Sequence, residues 1–386
     1  MIKACVLTGN RADYGPLYPL LKTLQEDRDF ELNLVVTGSH LSNEFGGTLS
    51  QILEDGFQPS ATIDIRLKGD SEFEAARSVG VGVLGLSEKI GELAPELLIV
   101  LGDRYELLAA LAVCVCMRIP VVHIGGGHVT RGAMDEQIRH ALTKIAHLHC
   151  VPTRLHARRV AQMGEEAWRI CVSGSLGLDN IAKLDLPSFK DVAARVGIDP
   201  HLPTALVTFH PLTLQAESMT WHVENMLSAL ETAGLQYVFT YPNADPRNYE
   251  IRQKIEFFAR TYRGRAVVVK NLGQRQYLCL MKNAAVVVGN SSSAIIEAPS
   301  FNVPVVNIGD RQAGRLFAPN IFQAGHERQS ILTAIDSALI YERCAFINPY
   351  GDGQASERIV SFIKQTFASK TKRDILEKYF VDIEGT

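Results

Sequence analysis

The sequence predicts an α/β protein built from two Rossmann-like domains, each a parallel sheet covered by helices on both sides. Three observations predict it. Short β-rich runs, apolar on both faces, recur along the chain and end in Gly, Asn, Asp or Pro, as buried parallel strands do. Helical patterns separate them, so βαβ units repeat. At 386 residues the chain exceeds the roughly 250–300 residues that one core ordinarily fills.

In order, the runs are KACVLTG (3–9), ELNLVVTG (31–38), ELLIVLGD (96–103), PVVHIGG (120–126), ALVTFHP (205–211), YVFTYPN (237–243), AVVVK (266–270), AAVVVGN (284–290) and PVVNIGD (304–310). Helical stretches between them include YPLLKTLQED (18–27), RYELLAALAVCV (104–115) and SSAIIEAPSF (292–301). The first group of strands closes with CVSG (171–174), and the second opens near Ala205. The intervening GLDNIAKLDLPSFKDVAARVGIDPHLP (177–203) carries prolines and an amphipathic helix and reads as the junction. The expected division is a first domain over 1–180, a linker over 181–203 and a second domain over 204–365, facing each other across a cleft.

Composition excludes several classes. Apolar residues are 46% and charged residues 21%, an ordinary soluble balance. A net charge of −3 gives no basic face for nucleic acid. The seven cysteines form no CxxC pair, and their odd number fits a reducing compartment. MIKACVLTG reads as a strand entering a turn, and no run reaches the ~18 apolar residues of a membrane span. A cytoplasmic protein without membrane or nucleic-acid partners is expected.

Ligands of open α/β sheets bind beyond the carboxyl ends of the strands, so the tails of the runs are the candidate site. In GNSSSAIIE (289–297), Ser291, Ser292 and Ser293 follow a Gly-Asn turn where a helix starts. Hydroxyls and unpaired amides there suit a phosphate; the plainer alternative is that one serine caps the helix. Glu297 either accepts from ribose hydroxyls or faces solvent. Arg11 in GNRADYG, with Arg311 and Arg315 in GDRQAGR, supplies cations for a diphosphate, or is ordinary surface arginine. No tail matches GxGxxG or a P-loop, so NAD and ATP are not indicated. Proton-transfer candidates are Asp103, Asp135, Glu136 and His210. Asp103 is equally placed to cap a helix, Asp135 and Glu136 to be first-turn helix acids, and His210 to be structural. His123, His147 and His149 read as structural, and no set has metal-ligand spacing.

Taken together, GNRADYG, VTGSHLSNEFGGT, LGDRYE, GG at 126–127 through DEQIRHALTKIAHLH, GSLGLDN, FHPLT, PNAD and GNSSSAIIEAPSFNVPVVNIGDRQAGR resemble the hydrolysing UDP-N-acetylglucosamine 2-epimerases, which feed sialic and legionaminic acid synthesis. The resemblance spans nearly the whole chain. It implies a GT-B fold whose C-terminal helix and tail (366–386) return to the first domain, a homodimer or dimer of dimers, and no cofactor or metal. It also implies a reaction. A base removes the C2 proton of the sugar while UDP leaves C1, a 2-acetamidoglucal forms, water adds at C1, and C2 is reprotonated on the other face. Asp103 and Asp135 match the family's acid–base carboxylates and His210 a histidine near the leaving group. Arg11, Ser291, Ser292, Glu297 and Arg311 match nucleotide contacts. Asp13, His40, Arg104, Asn243, Ser293 and Arg315, from the same motifs, complete the expected substrate and nucleotide set.

One stretch departs from the pattern. Family members usually read HI-x-GGE; this chain has Gly125 at x and His128 in place of the glutamate. Three expectations stand. The activity is kept, with His128 joining the carboxylates in proton transfer. The chemistry is kept on another sugar, such as a 2,4-diacetamido-2,4,6-trideoxyhexose whose C4 amide uses the room at glycine. Or the chain binds a nucleotide sugar with little turnover. A GT-B glycosyltransferase is the alternative enzyme class.

Overall fold

The computed structural model describes residues 1–42, 47–66, 71–212, 219–242, 248–262, 264–270 and 272–382. The expected contact Asn243 lies outside them, as does part of PNAD. The chain forms two compact units, one comprising 1–128, 135–182 and 350–386, the other 129–134 and 183–349.

Among the described residues, the first unit holds a sheet of seven strands: β1 (Ile2–Thr8), β2 (Phe30–Thr37), β3 (Ala61–Ile63), β4 (Leu97–Leu101), β5 (Val121–Ile124), β6 (Leu148–Val151) and β7 (Ile170–Val172). They lie in the order β3-β2-β1-β4-β5-β6-β7, every pair parallel. Ala4, Val6, Leu34, Val36, Leu97, Ile99 and Val122 are buried in one core cluster on one face, and Cys5, Leu7, Val35, Leu98, Val100 and Val121 are buried on the other. That burial on both faces is why the runs are continuously apolar. The order reverses between β1 and β4, so residues 8–13 and 102–104 meet at the switch point where such sheets take ligands.

The helix Arg11–Glu26 that leaves β1 contains Pro19, which has no amide to give the Gly15 carbonyl. Asn180 Nδ2 donates to that carbonyl at 2.7 Å instead. The C-terminal segment packs on this unit. Asp179 caps the helix Ala355–Ser369 by accepting from Ala355 N at 2.8 Å and Ser356 N at 2.7 Å. The fully buried Arg169 guanidinium donates to the carbonyls of Ile375 at 2.7 Å and Glu377 at 2.6 Å. Residues 350–365, read from sequence as the end of the second domain, lie in this unit.

The second unit repeats the plan with β8 (Thr204–Thr208), β9 (Gln236–Thr240), β10 (Ala266–Val269), β11 (Val286–Gly289), β12 (Val305–Ile308) and β13 (Ile321–Ala324). The order is β10-β9-β8-β11-β12-β13, again all parallel. Its switch point lies between β8 and β11, which places His210 beside Asn290 and Ser291. Gly289, at φ +136°, passes so close to β8 that a Cβ there would lie 1.9 Å from the Thr208 carbonyl oxygen. The helix expected over 292–301 is α-helical only to Ile296 and then tightens to a 3₁₀ turn over Ala298–Phe301. Pro299 near the start of that turn cannot continue α-helical bonding. Among the described residues, no helix is long and apolar enough to cross a membrane.

Candidate active site

In the first unit, Asn10 caps the helix after β1: its side chain accepts from Ala12 N at 2.8 Å and Asp13 N at 3.2 Å. Asp13 returns the cap, accepting from Asn10 N at 3.3 Å, Gly9 N at 3.1 Å and Thr8 Oγ1 at 2.5 Å. Burial pushes the Asp13 carboxyl up to about 7, with the Glu106 charge adding to it and these hydrogen bonds opposing it. His40 is fully buried; its Nε2 meets Thr8 Oγ1 at 2.9 Å and its Nδ1 meets Thr48 Oγ1 at 2.5 Å. Burial lowers it to about 4, so the ring is neutral near pH 7. Both ring nitrogens of His40 are thus engaged inside the protein. Arg11 opens the helix, and Arg104 is buried with Nε 3.5 Å from Glu106.

The proton-transfer candidates gather at the ends of β4 and β5. Arg139, fully buried on the helix Asp135–Ile145, ties them together. Its guanidinium pairs with Asp103 and donates to Glu136 at 3.0 Å and to the His128 carbonyl at 3.1 Å. A buried guanidinium needs such partners, since an unpaired charge in the interior is costly. Asp103 therefore is not a simple helix cap, and Glu136 is bound to Arg139 and to His140 Nε2 at 3.1 Å. Asp135 is the buried first residue of the helix. His123 bonds the Gly102 carbonyl at 2.7 Å and Thr143 Oγ1 at 3.1 Å, and burial holds it near 4, a structural histidine.

The three glycines differ in purpose. Gly127, at φ +75°, runs against the helix Arg154–Gln162: a Cβ there would lie 2.5 Å from the His156 carbonyl oxygen. Gly125 has φ +90°, and a Cβ there would be in ordinary contact with Gly102 N and Leu101 Cδ1, each at 3.9 Å. The next residue, His128, is buried, and its Nδ1 lies 3.0 Å from His156 Nε2.

In the second unit, Asn290 is the hub. It accepts from His210 N at 2.7 Å and donates to the His210 carbonyl at 2.9 Å. Its own carbonyl accepts from Arg311 at 3.2 Å and Gln312 at 2.8 Å. His210 and Arg311, both buried, are thus fixed to the turn that starts the serine segment. Ser291 sits at the N-cap, yet its side chain makes no capping bond; its hydroxyl meets Ser293 Oγ at 3.1 Å. Ser292 is the first helical residue. Glu297 is buried, and that burial pushes it up to about 8. Arg315 donates to the Val129 carbonyl at 3.2 Å and to Thr130 Oγ1 at 3.4 Å, holding the 129–134 segment in this unit.

The model of the UDP-N-acetylglucosamine 2-epimerase family matches residues 22–364. The chain belongs to that family. Among its relatives, the GDP/UDP-N,N'-diacetylbacillosamine 2-epimerase (hydrolyzing) of Campylobacter jejuni is 36% identical over 83% of this chain and 84% of that protein. The UDP-N,N'-diacetylbacillosamine 2-epimerase (hydrolyzing) of Legionella pneumophila is 34% identical over 94% and 95%. A solved complex of the S. aureus protein MnaA with UDP superposes with a TM-score of 0.80 at 22% identity, covering 99% of this chain and all of that one. The fold class expected from the sequence, α/β of GT-B type, is the one observed.

Two residues that organise these two clusters carry little sequence signal. Arg139 sits inside DEQIRH, but its partner Asp103 lies 36 positions away, and no local pattern announces that pairing. Asn290 was visible only as half of a Gly-Asn turn, and its clamp on His210 spans two strands. Among the described residues, no group of three or more His, Cys, Asp or Glu side chains is arranged to hold a metal.

Proposed function

We propose that this chain is a hydrolysing 2-epimerase that converts a UDP-linked 2-acetamido sugar to UDP and the free 2-epimerised sugar. The second unit takes the nucleotide, with Ser291, Ser292, Ser293, Arg311 and His210 toward the diphosphate and Glu297 toward the ribose. Arg11 adds a further cation. Asp103, Asp135 and His128 share the proton transfers. As the C2 proton is removed, the C–H electron pair becomes the C1=C2 bond and the UDP oxygen departs from C1. Water then adds at C1, and C2 regains a proton from the opposite face. Carboxylates answer the weakly acidic C–H, and cations with polar hydrogens answer the dianionic leaving group.

The observation that carries the reading is the Arg139 hub, which draws Asp103, Glu136 and the His128 backbone to one place. A glycosyltransferase, which leaves C2 untouched, has no need of clustered proton donors and acceptors there. For the sugar, we favour a 2,4-diacetamido-2,4,6-trideoxyhexose over N-acetylglucosamine. Two relatives carry that substrate type in their names, and Gly125 places no side chain at the end of β5. The cytoplasm, which suits seven free thiols, and a homodimer or dimer of dimers complete the proposal.

The test is a proton NMR time course in D2O with UDP-N-acetylglucosamine and with the UDP-diacetamido-trideoxyhexose. The expected result is UDP release, a free sugar of inverted C2 configuration, and deuterium at C2. Release of sugar with protium at C2, or recovery of the sugar still linked to UDP, refutes the mechanism. Light scattering reads the oligomeric form.

A further inference from the structure

His128 has a partner that the reaction as described leaves unused. His156 is fully buried, with Nε2 3.0 Å from His128 Nδ1 and Nδ1 2.7 Å from Thr153 Oγ1. The two rings stand 4.2 Å apart at 63°. The buried Tyr350 ring lies 6.2 Å from that of His128, stacked at 21°, and 6.1 Å from that of His156. The backbone beside His128 is held as firmly. Arg139 donates to its carbonyl and Arg159 to the Gly127 carbonyl, each at 3.1 Å. Gly127 itself runs along the His156 carbonyl, so only glycine fits there.

We propose that His156 is a positioning residue: the Thr153–His156–His128 chain sets the tautomer of His128 and lets it alternate between proton acceptor and donor. This rests on the reading that His128 exchanges protons with the sugar.

A chain of two imidazoles ending on a hydroxyl has two neutral arrangements. In one, His156 donates from Nδ1 to Thr153 Oγ1, and His128 donates from Nδ1 to His156 Nε2. His128 Nε2 then carries the lone pair and accepts. In the other, the Thr153 hydroxyl donates to His156 Nδ1, and His156 Nε2–H donates to His128 Nδ1. His128 Nε2 then carries the proton and donates. The hydroxyl reverses by rotating, which no carboxylate or backbone group can do. When the accepting form takes a proton at Nε2, its Nδ1 proton passes to His156 Nε2. The positive charge then rests one ring away from the sugar, and the transfer reverses when Nε2 returns the proton. No electron acceptor or co-reactant is needed.

The experiment uses the full chain and two readouts. Long-range proton–nitrogen spectra of histidine-labelled protein report the His128 tautomer whether or not any sugar is turned over. His156→Phe is expected to move the His128 nitrogen resonances to a single fixed tautomer, and Thr153→Val, a smaller change should the first fail to fold, to shift the balance between tautomers. His128 resonances unmoved by both substitutions overturn the proposal. Turnover is the second readout. With His156→Phe, kcat is expected to fall about 10- to 100-fold with KM nearly unchanged. His156→Gln, whose amide can still bond His128 Nδ1, is expected to recover part of it. An effect confined to KM, or equal losses in the Phe and Gln variants, also overturns it. If the unaltered chain turns over neither UDP-sugar, the proposed reaction fails and with it the clause this inference rests on, while the spectra still decide whether the chain of rings controls the tautomer.

Discussion

The two sheets share one strand order through their first six positions and present opposite chemistry at their switch points. At the β1/β4 point and the neighbouring β5 end of the first unit, Asp13, Asp103, Glu106, Asp135 and Glu136 crowd together with buried histidines and Arg139. At the β8/β11 point of the second, the polar groups are hydroxyls, amides, His210 and one arginine, with Glu297 kept apart and pushed toward its neutral form. The strand order supplies a place where backbone ends diverge. What happens there is decided by the residues placed on the tails. The carboxylate-rich end suits moving protons, and the hydroxyl-rich end suits holding a polyanion.

The largest effect that would break this division is on Asp103. Asp103→Asn keeps shape but removes the carboxylate, and kcat should fall about 10²- to 10⁴-fold, while UDP affinity measured by calorimetry stays within about twofold. Equal losses in both would mean that the two ends are not separate in function.

Arg139→Leu should follow. It strands Asp103 and Glu136 without their shared cation, and loss of one partner of a buried pair costs about 3–5 kcal/mol. Since Asp103 and Glu136 are partly exposed, the lower end is expected, read as a lowered midpoint in urea. A midpoint unchanged from the parent chain would deny Arg139 its role as hub.

Asn290→Ala removes both bonds to the His210 backbone and should weaken UDP binding by about 1–2 kcal/mol, roughly tenfold in Kd. Here deuterium incorporation at saturating substrate should change little, which sharpens the contrast with Asp103.

The smallest effect is on pH dependence. Glu297 and Asp13 both have raised values, about 8 and about 7. A carboxyl raised in the folded state favours folding fully below its ordinary value near 4, and the contribution drains away as pH climbs through the folded value. The ligand-free protein should therefore lose thermal stability between about pH 5 and 8. Glu297→Gln should flatten the upper part of that decline and leave the Asp13 part. A melting curve of unchanged slope would show that Glu297 is ionised in the fold.

Most of the sheet was legible because its strands are continuously apolar and end in turn residues. The exceptions are instructive. β3, β6 and β13 lie outside the runs read from the sequence, and their β character comes from pairing with β2, with β5 and β7, and with β12. At the sites, motifs named the residues but not their connections. His40 came only with its motif, and its burial and its two threonine partners are tertiary facts. His156 carries no sequence signal, because a lone histidine inside a polar helix looks like surface. The passage of 129–134 into the second unit was equally hidden, since VTRGAM has no linker composition.

That passage has a mechanical consequence. The chain departs one unit immediately after His128 and comes back immediately before Asp135, with Arg315 holding Val129 and Thr130 at the head of the six residues in between. Covalent continuity makes this loop a tether whose two anchor points are the very side chains assigned to proton handling.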